Sequence, residues 1–248
     1  MTLKEQVALV TGASSGIGSA TALLLATKGV KLWLTGRKRG GLDAVAESAR
    51  RTTSEVSCIQ ADLERDGDII ALVARLQRDV GYLDLLIHCA GTITPGPMDS
   101  AEIEDLDRQY RVNVRAPYLL TKLLLPMLRS RRGQIVFVNS SAGQIAAANV
   151  SQYAATKHAL RAIANSVRQE VSGDSLRVLS VYPGRTASPM QATIHAIEGK
   201  EYRPECLVQP EDVAAMLVSA VSLPRSAEVT DINVRPLRSP QLLEHEGL

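Results

Sequence analysis

Residues 7–18 read Val7-Ala8-Leu9-Val10-Thr11-Gly12-Ala13-Ser14-Ser15-Gly16-Ile17-Gly18. Residues 7–10 are a short continuous apolar run, as expected of a strand buried on both faces. From about Gly16 to Lys28 the pattern is helical, and Gly29 suits a helix end. A glycine-rich turn joins the two. Gly12 can take the turn, Gly16 lets backbone approach a phosphate, and Gly18 lets helix and strand pack closely. The helix N terminus then offers N–H groups and positive dipole to a pyrophosphate, with Ser14, Ser15 and Ile17 beside it. The glycines are spaced three residues and then one apart, which differs from the commoner one-then-two spacing.

Outward from this unit the pattern repeats. Further strand-length apolar runs fall at 31–35, 56–60, 83–88, 135–138, 178–182 and 229–234. Helical stretches lie between them, notably 69–80, 106–128, 153–171 and 212–223. This alternation predicts an α/β fold: a doubly wound parallel sheet of seven strands with right-handed crossovers, in three α/β/α layers. The chain reads as one domain over 1–248, without repeat, low-complexity tract or linker. The Gly/Pro-rich patch 91–97 follows a strand, so it is a loop at the carboxyl edge, where ligands collect in such sheets.

The 248 residues are 45% hydrophobic, enough for a large core. Net charge is only +2 and the aromatic fraction is 3%, so no nucleic-acid or membrane footprint is present. Cys58, Cys89 and Cys206 show no metal spacing, and their odd number favours a reducing compartment. Met1 leads into a polar start and an apolar run too short for a signal peptide or a span, so a cytoplasmic location is expected.

The end of the second strand bears on which dinucleotide binds. NAD sites usually carry an acidic residue there for the ribose 2′-hydroxyl. Here the stretch is Thr35-Gly36-Arg37-Lys38-Arg39. Arg37 can pair with a 2′-phosphate through its planar fork, so NADP(H) is expected and NAD(H) remains possible. The same stretch also reads as a solvated basic turn. Asp62 can accept from an adenine amino group, or it can cap the turn before Leu63 and Glu64. Ala90 and Gly91, after Cys89, are small and allow a ligand close approach.

Residues 153–157 read Tyr-Ala-Ala-Thr-Lys. A phenol and an ammonium four residues apart share one helix face. A Tyr working as acid or base near neutrality needs a cation beside it, because its ordinary pKa is about 10. A nucleotide cradle plus such a Tyr points to hydride transfer coupled to proton transfer at a carbonyl or alcohol carbon.

With these motifs in order, the chain resembles the short-chain dehydrogenase/reductase family. The resemblance runs from Val7 to about Val234 and rests on 11–18, Asp62-Leu63, Ala90-Gly91, Asn113, Ser140, Tyr153/Lys157 and Pro183-Gly184. It implies a Rossmann-type domain with a Ser-Tyr-Lys-Asn catalytic group. Tyr153 would be the acid for carbonyl reduction and the base for alcohol oxidation. Lys157 would lower its pKa and bind the nicotinamide ribose. Ser140 would polarise the substrate oxygen, with Ser141 its neighbouring competitor. Asn113 would hold a water linking Lys157 to solvent. Ser188 keeps the hydroxyl of a Thr that often bonds the carboxamide or a phosphate, and Thr186 could share that work. The family often has Asn-Asn-Ala-Gly after the fourth strand; His88-Cys89-Ala90-Gly91 departs from it, and His88 reads as a structural histidine.

Specificity is expected in 91–100, 142–152 and 185–209, the last covering a small carbonyl or alcohol substrate. Gln144, Ile145 and Gln152 are expected at the pocket. Arg185 reads as solvent-facing or salt-bridged, with an acidic substrate group as the alternative. The 185–209 segment shows no long apolar lid. The resemblance implies a homodimer or, slightly favoured through a second interface at the seventh strand, a homotetramer, paired through the 106–128 and 153–171 helices with Leu119, Leu123, Leu124, Ala159, Ala162 and Ala164. The alternative function is a catalytically silent NADP(H)-binding regulator or redox sensor. A sugar-nucleotide epimerase would need a substrate domain after the seventh strand, for which few residues remain.

Overall fold

A computed structural model describes residues 2–53 and 55–237. Its elements run β1 (Val7–Thr11), α1 (Gly16–Thr27), β2 (Lys31–Gly36), α2 (Arg39–Ala49), β3 (Val56–Gln60), α3 (Asp66–Asp79) and β4 (Leu85–His88). Next come α4 (Ile103–Tyr110), a π-helical turn (Arg111–Arg115), α5 (Ala116–Arg129), β5 (Gln134–Val138) and α6 (Ser151–Glu170). The series closes with β6 (Arg177–Pro183), α7 (Pro189–Ile197), α8 (Pro210–Val221) and β7 (Asp231–Val234). All seven strands are parallel in one sheet, ordered β3-β2-β1-β4-β5-β6-β7. Strand order reverses between β1 and β4, which opens a crevice at their carboxyl ends.

Alternation along the strands builds the two cores. Ala8, Val10, Leu32, Leu34, Leu85 and Ile87 face α1, α2 and α8. Val7, Leu9, Trp33, Leu86, Ile135 and Phe137 face α3, α5 and α6. Both faces are covered, so every residue of β1 is buried, as a continuous apolar run predicts.

Several boundaries differ from the sequence reading. The fourth strand starts at Leu85 because Leu83 donates its amide to Met127 in α5 instead of joining the ladder. Between them, the Asp84 carboxylate accepts from the Val7 amide at 2.9 Å and from Arg131 at 3.1 Å. The seventh strand pairs only from Asp231. Helix α2 escapes the sequence pattern because Gly40 and Gly41 dilute its signal, and α7 is a further helix within the 185–209 segment.

The expected single helix over 106–128 is broken by the π turn. Pro117 lacks the amide that an α-helix would direct at the Asn113 carbonyl, and the turn widens there. The Ala116 amide reaches back to the Arg111 carbonyl. Two expected interface residues are also corrected: Leu124 and Ala164 are fully buried against the sheet of their own chain.

Candidate active site

The glycine turn stands at the crevice. Gly12 has φ +64°, and a Cβ there would lie 2.8 Å from the Ala90 backbone, so only glycine fits. A Cβ on Gly18 would lie 2.4 Å from the Gly12 carbonyl oxygen. Thr11 locks this end of the sheet. Its hydroxyl accepts from the Cys89 and Ala90 amides, both at 3.1 Å, and donates to the Ile87 carbonyl at 3.4 Å. Ser15 precedes α1 but its side chain does not cap the helix. The first-turn N–H groups of α1 therefore keep donor capacity for an anion, with the Ser14 and Ser15 hydroxyls alongside. This donor set fits a dinucleotide pyrophosphate.

At the end of β2, Arg37 is exposed and donates to Glu64 Oε1 at 3.2 Å. Its carbonyl accepts from Gln60 Nε2 at 2.9 Å. Asp62 forms a turn: its Oδ1 accepts from the Glu64 amide at 3.1 Å, while its own amide donates to Asp68 at 2.8 Å. The capping reading of Asp62 thus describes its bonds in this structure. Leu63 is buried beneath it.

Ser140, at the end of β5, accepts from the Ala142 amide at 3.1 Å. That leaves its O–H proton free to donate. The Ser140 hydroxyl interacts with the Tyr153 phenol and pulls its pKa down, but burial outweighs it and pushes the phenol up to about 12. Lys157 is buried, and its Nζ donates to the Val138 carbonyl at 3.1 Å. Nζ lies 5.7 Å from the centre of the Tyr153 ring. Burial draws its pKa down to about 8, with a small opposing influence from Cys89. In this structure burial and Ser140 set the phenol's shift, with Lys157 stacked beside the ring. Desolvation dominates both groups and drives each toward its neutral form.

Asn113 lies within the π turn, buried. Its Nδ2 donates to the Thr92 carbonyl at 2.8 Å and to Thr156 Oγ1 at 3.0 Å, while its Oδ1 accepts from the Thr92 amide at 2.9 Å. Both amide protons are thus committed, and the side chain fastens the loop after β4 to α6. A Cβ on Gly91 would stand 3.4 Å from Asn113 Oδ1 and 3.8 Å from Lys157 Nζ, so Gly91 keeps this corner open.

Pro183 ends β6, and the Gly184 amide donates to the Val234 carbonyl at 2.8 Å. Thr186 donates to the Gly184 carbonyl at 3.0 Å. Ser188 caps the next helix, α7: its hydroxyl accepts from the Gln191 amide at 3.2 Å and donates to the Thr186 carbonyl at 3.2 Å. Tyr202 Oη accepts from the Ser188 amide at 3.0 Å. A Cβ on Gly16 would lie 3.4 Å from Ser188 Cβ, so the start of α7 rests over the glycine turn. Arg185 makes two hydrogen bonds to Glu198, at 2.9 and 2.5 Å. Gln152 turns inward, accepting from Gln109 at 2.8 Å and donating to the Glu102 carbonyl at 2.8 Å, so it is not free at the pocket.

His88 is buried, stacks on Phe137 with ring centres 4.9 Å apart, and hydrogen-bonds Thr121 at 3.0 Å. Burial holds it neutral, at a pKa of about 3. Sequence reasoning missed several supports. Asn139 Nδ2 donates to the Lys157 carbonyl at 3.1 Å, and a Cβ on Gly143 would lie 2.4 Å from Asn139 Oδ1. The bonding roles of Thr11, Thr92 and Thr156 were likewise not signalled. The only sequence signal for Asn139 and Gly143 is that they flank Ser140.

Residues 6–199 match the family described as short chain dehydrogenase. A short-chain type dehydrogenase/reductase of Sinorhizobium fredii, itself uncharacterised, is 34% identical over 239 residues, spanning 94% of this chain and 92% of the relative. A metagenomic short-chain oxidoreductase solved with NADP is 28% identical at a TM-score of 0.82, covering 96% of this chain and all of its own. An actinorhodin polyketide ketoreductase variant solved with NADPH is 26% identical at a TM-score of 0.85, over 93% of this chain and 95% of its own.

Proposed function

The chain belongs to the short-chain dehydrogenase family, and on that premise we propose an NADP(H)-dependent oxidoreductase that interconverts a carbonyl and an alcohol. The observation that carries this reading is Lys157 Nζ 5.7 Å from the centre of the Tyr153 ring, with Asn113 fastened to Thr156 on the same helix. NADP(H), when bound, supplies or takes up the hydride. Gly12, Ser14, Ser15, Gly16, Ile17 and Gly18 would hold its pyrophosphate. Asp62, Leu63, Ala90 and Gly91 would flank the adenosine side and the crevice. Pro183, Gly184, Thr186 and Ser188 would border the nicotinamide end, Ser188 through backbone.

In reduction, Ser140 donates a hydrogen bond to the carbonyl oxygen and Tyr153 delivers the proton. The raised phenol pKa keeps that proton in place near neutrality. In oxidation, Tyr153 as phenolate takes the alcohol proton. Lys157 has donors beyond its bond to Val138 for the ribose hydroxyls and for a developing phenolate. Asn113 fixes Thr92 and Thr156 around this group; any relay water would meet its remaining acceptor capacity.

The exposed Arg37 supports a preference for NADP(H), as do the cofactors of the two solved relatives. One unit would serve both cofactor and substrate, with 185–209 as the substrate segment. The proposed setting is the cytoplasm, where the thiols of Cys58, Cys89 and Cys206 stay reduced. A panel of carbonyl compounds, with NADPH absorbance followed on the purified protein, tests the reading. Consumption with at least one ketone or aldehyde is expected. NADPH binding without turnover across the panel would favour the silent regulator instead.

A further inference from the structure

The segments that reach over the carboxyl edge differ sharply in what they leave free. Immediately after Ser140 and its short turn comes Ile145-Ala146-Ala147-Ala148, four consecutive apolar residues, all exposed. Ile145 is 79% exposed. This run is joined to the loop after β4: the Gly96 amide donates to the Asn149 carbonyl at 2.8 Å, and Ser151 meets Met98 sulfur at 3.8 Å. Met98 is 81% exposed. Met190 is also exposed, at the start of α7, where Ser188 rests over Gly16. Apolar surface of this kind beside a polar catalytic group is the usual construction of a small-molecule site.

The charges of the same segments are largely engaged with one another. Arg185 and Lys200 both pair with Glu198, Lys200 at 3.1 Å. The Glu198 carboxyl is held down at about 2 by Arg185, so it stays ionised as their counter-ion. Arg203 pairs with Glu201 at 2.8 Å. His195 Nδ1 lies 2.8 Å from the Gln191 backbone carbonyl and 3.1 Å from Gln191 Nε2. Among the described residues, the charged side chains of 91–100, 142–152 and 185–209 that remain without an ion pair are Asp99 and Glu205, both negative. Beside the Ile145–Ala148 run, where 142–152 carries no charged residue, a carboxylate or phosphate on the substrate would meet hydrocarbon and would lose water without gaining a partner there.

We infer that the substrate is a neutral carbonyl compound, or the matching secondary alcohol, with a largely hydrocarbon body that packs on the Ile145–Ala148 run while its oxygen faces Ser140 and Tyr153. This rests on the catalytic reading above and narrows it: keto acids and phosphorylated carbonyl compounds are excluded as good substrates. The absence of a long apolar lid in 185–209 does not oppose it, because the apolar surface comes from the loop after β5.

Two substrate series test the inference on the full-length enzyme with NADPH. One is straight-chain methyl ketones of increasing length; the other is the same ketones ending in a carboxylate. For the neutral series, kcat/KM should rise about fourfold per added methylene until the wall is covered. Each carboxylate should fall about tenfold or more below its neutral partner. Ile145→Lys should close that gap by supplying a cation, and Ile145→Ser should flatten the length dependence. Saturation-transfer NMR on the cofactor-free protein gives a second readout, with transfer expected to the hydrocarbon protons of the neutral ketones. A flat length profile, or equal use of the carboxylates, overturns the inference while leaving carbonyl reduction standing. NMR contacts to the neutral series without NADPH consumption support the apolar site and overturn the catalytic reading.

Discussion

Arg37 and Glu64, 27 residues apart in sequence, meet at 3.2 Å beyond the carboxyl ends of β2 and β3. The cation proposed for a 2′-phosphate therefore already has an anionic neighbour. The Arg37 carbonyl is held by Gln60 as well, so the residue is anchored at both ends.

Replacing Arg37 with Asp should erase or reverse the preference for NADPH over NADH. A carboxylate there repels a 2′-phosphate and accepts from a free 2′-hydroxyl. A charge-assisted contact is worth about 1.5–3 kcal/mol, so NADPH affinity should fall roughly tenfold to a hundredfold. Glu64→Gln should tighten NADPH by a smaller factor, since it removes a competing anion from an exposed pair worth about 0–1 kcal/mol. Calorimetric titration of both cofactors reads these changes. Equal affinity of the wild type for NADH and NADPH would remove the role given to Arg37.

His88 should make the fold acid-sensitive. Its pKa is lowered by burial from 6.5 to about 3. Above 6.5 the ring is neutral in both folded and unfolded chains, and its contribution to stability is fully present. As pH falls from 6.5 toward 3, the unfolded chain binds a proton that the folded one refuses, and stability is lost. The slope is at most about 1.4 kcal/mol per pH unit. His88→Asn forfeits the stacking on Phe137 and should be less stable at neutral pH, but the gap to wild type should narrow on acidification. Thermal melts at several pH values would show it, and a constant gap would contradict the assignment of His88 as a buried neutral ring.

The glycine turn, the strand runs and the Tyr153/Lys157 spacing were legible in the sequence because each is local: a period, a turn residue or one helical repeat. The π turn was not, because its cause is a missing amide at Pro117 acting on a carbonyl four residues back. The bonds of Ser188 and Gln152 were not legible for a different reason: their partners, in the first turn of α7 and on Gln109 and Glu102, are set by tertiary placement. The Arg37–Glu64 contact depends on how two crossovers land, which spacing does not encode. The direction of the Tyr153 shift depends on burial, which no motif reports.

The protein should assemble through the α4–α5 and α6 layer. With Leu124 and Ala164 buried internally, the surface left for a partner includes Tyr110 and Tyr118, both about half exposed, and Ala162. Light scattering should give a dimer or tetramer mass, and Tyr118→Asp should shift the distribution toward smaller species. A monomer mass for the wild type at micromolar concentration would rule the assembly out.

The central claim is that the Tyr153 phenol moves the proton in a carbonyl–alcohol interconversion. It is tested most directly by comparing kcat of wild type and Tyr153→Phe on the best carbonyl substrate at saturating NADPH. Tyr153→Phe should lose about a hundredfold to ten-thousandfold in kcat with NADPH affinity nearly unchanged. A Tyr153→Phe enzyme with near wild-type kcat would contradict it.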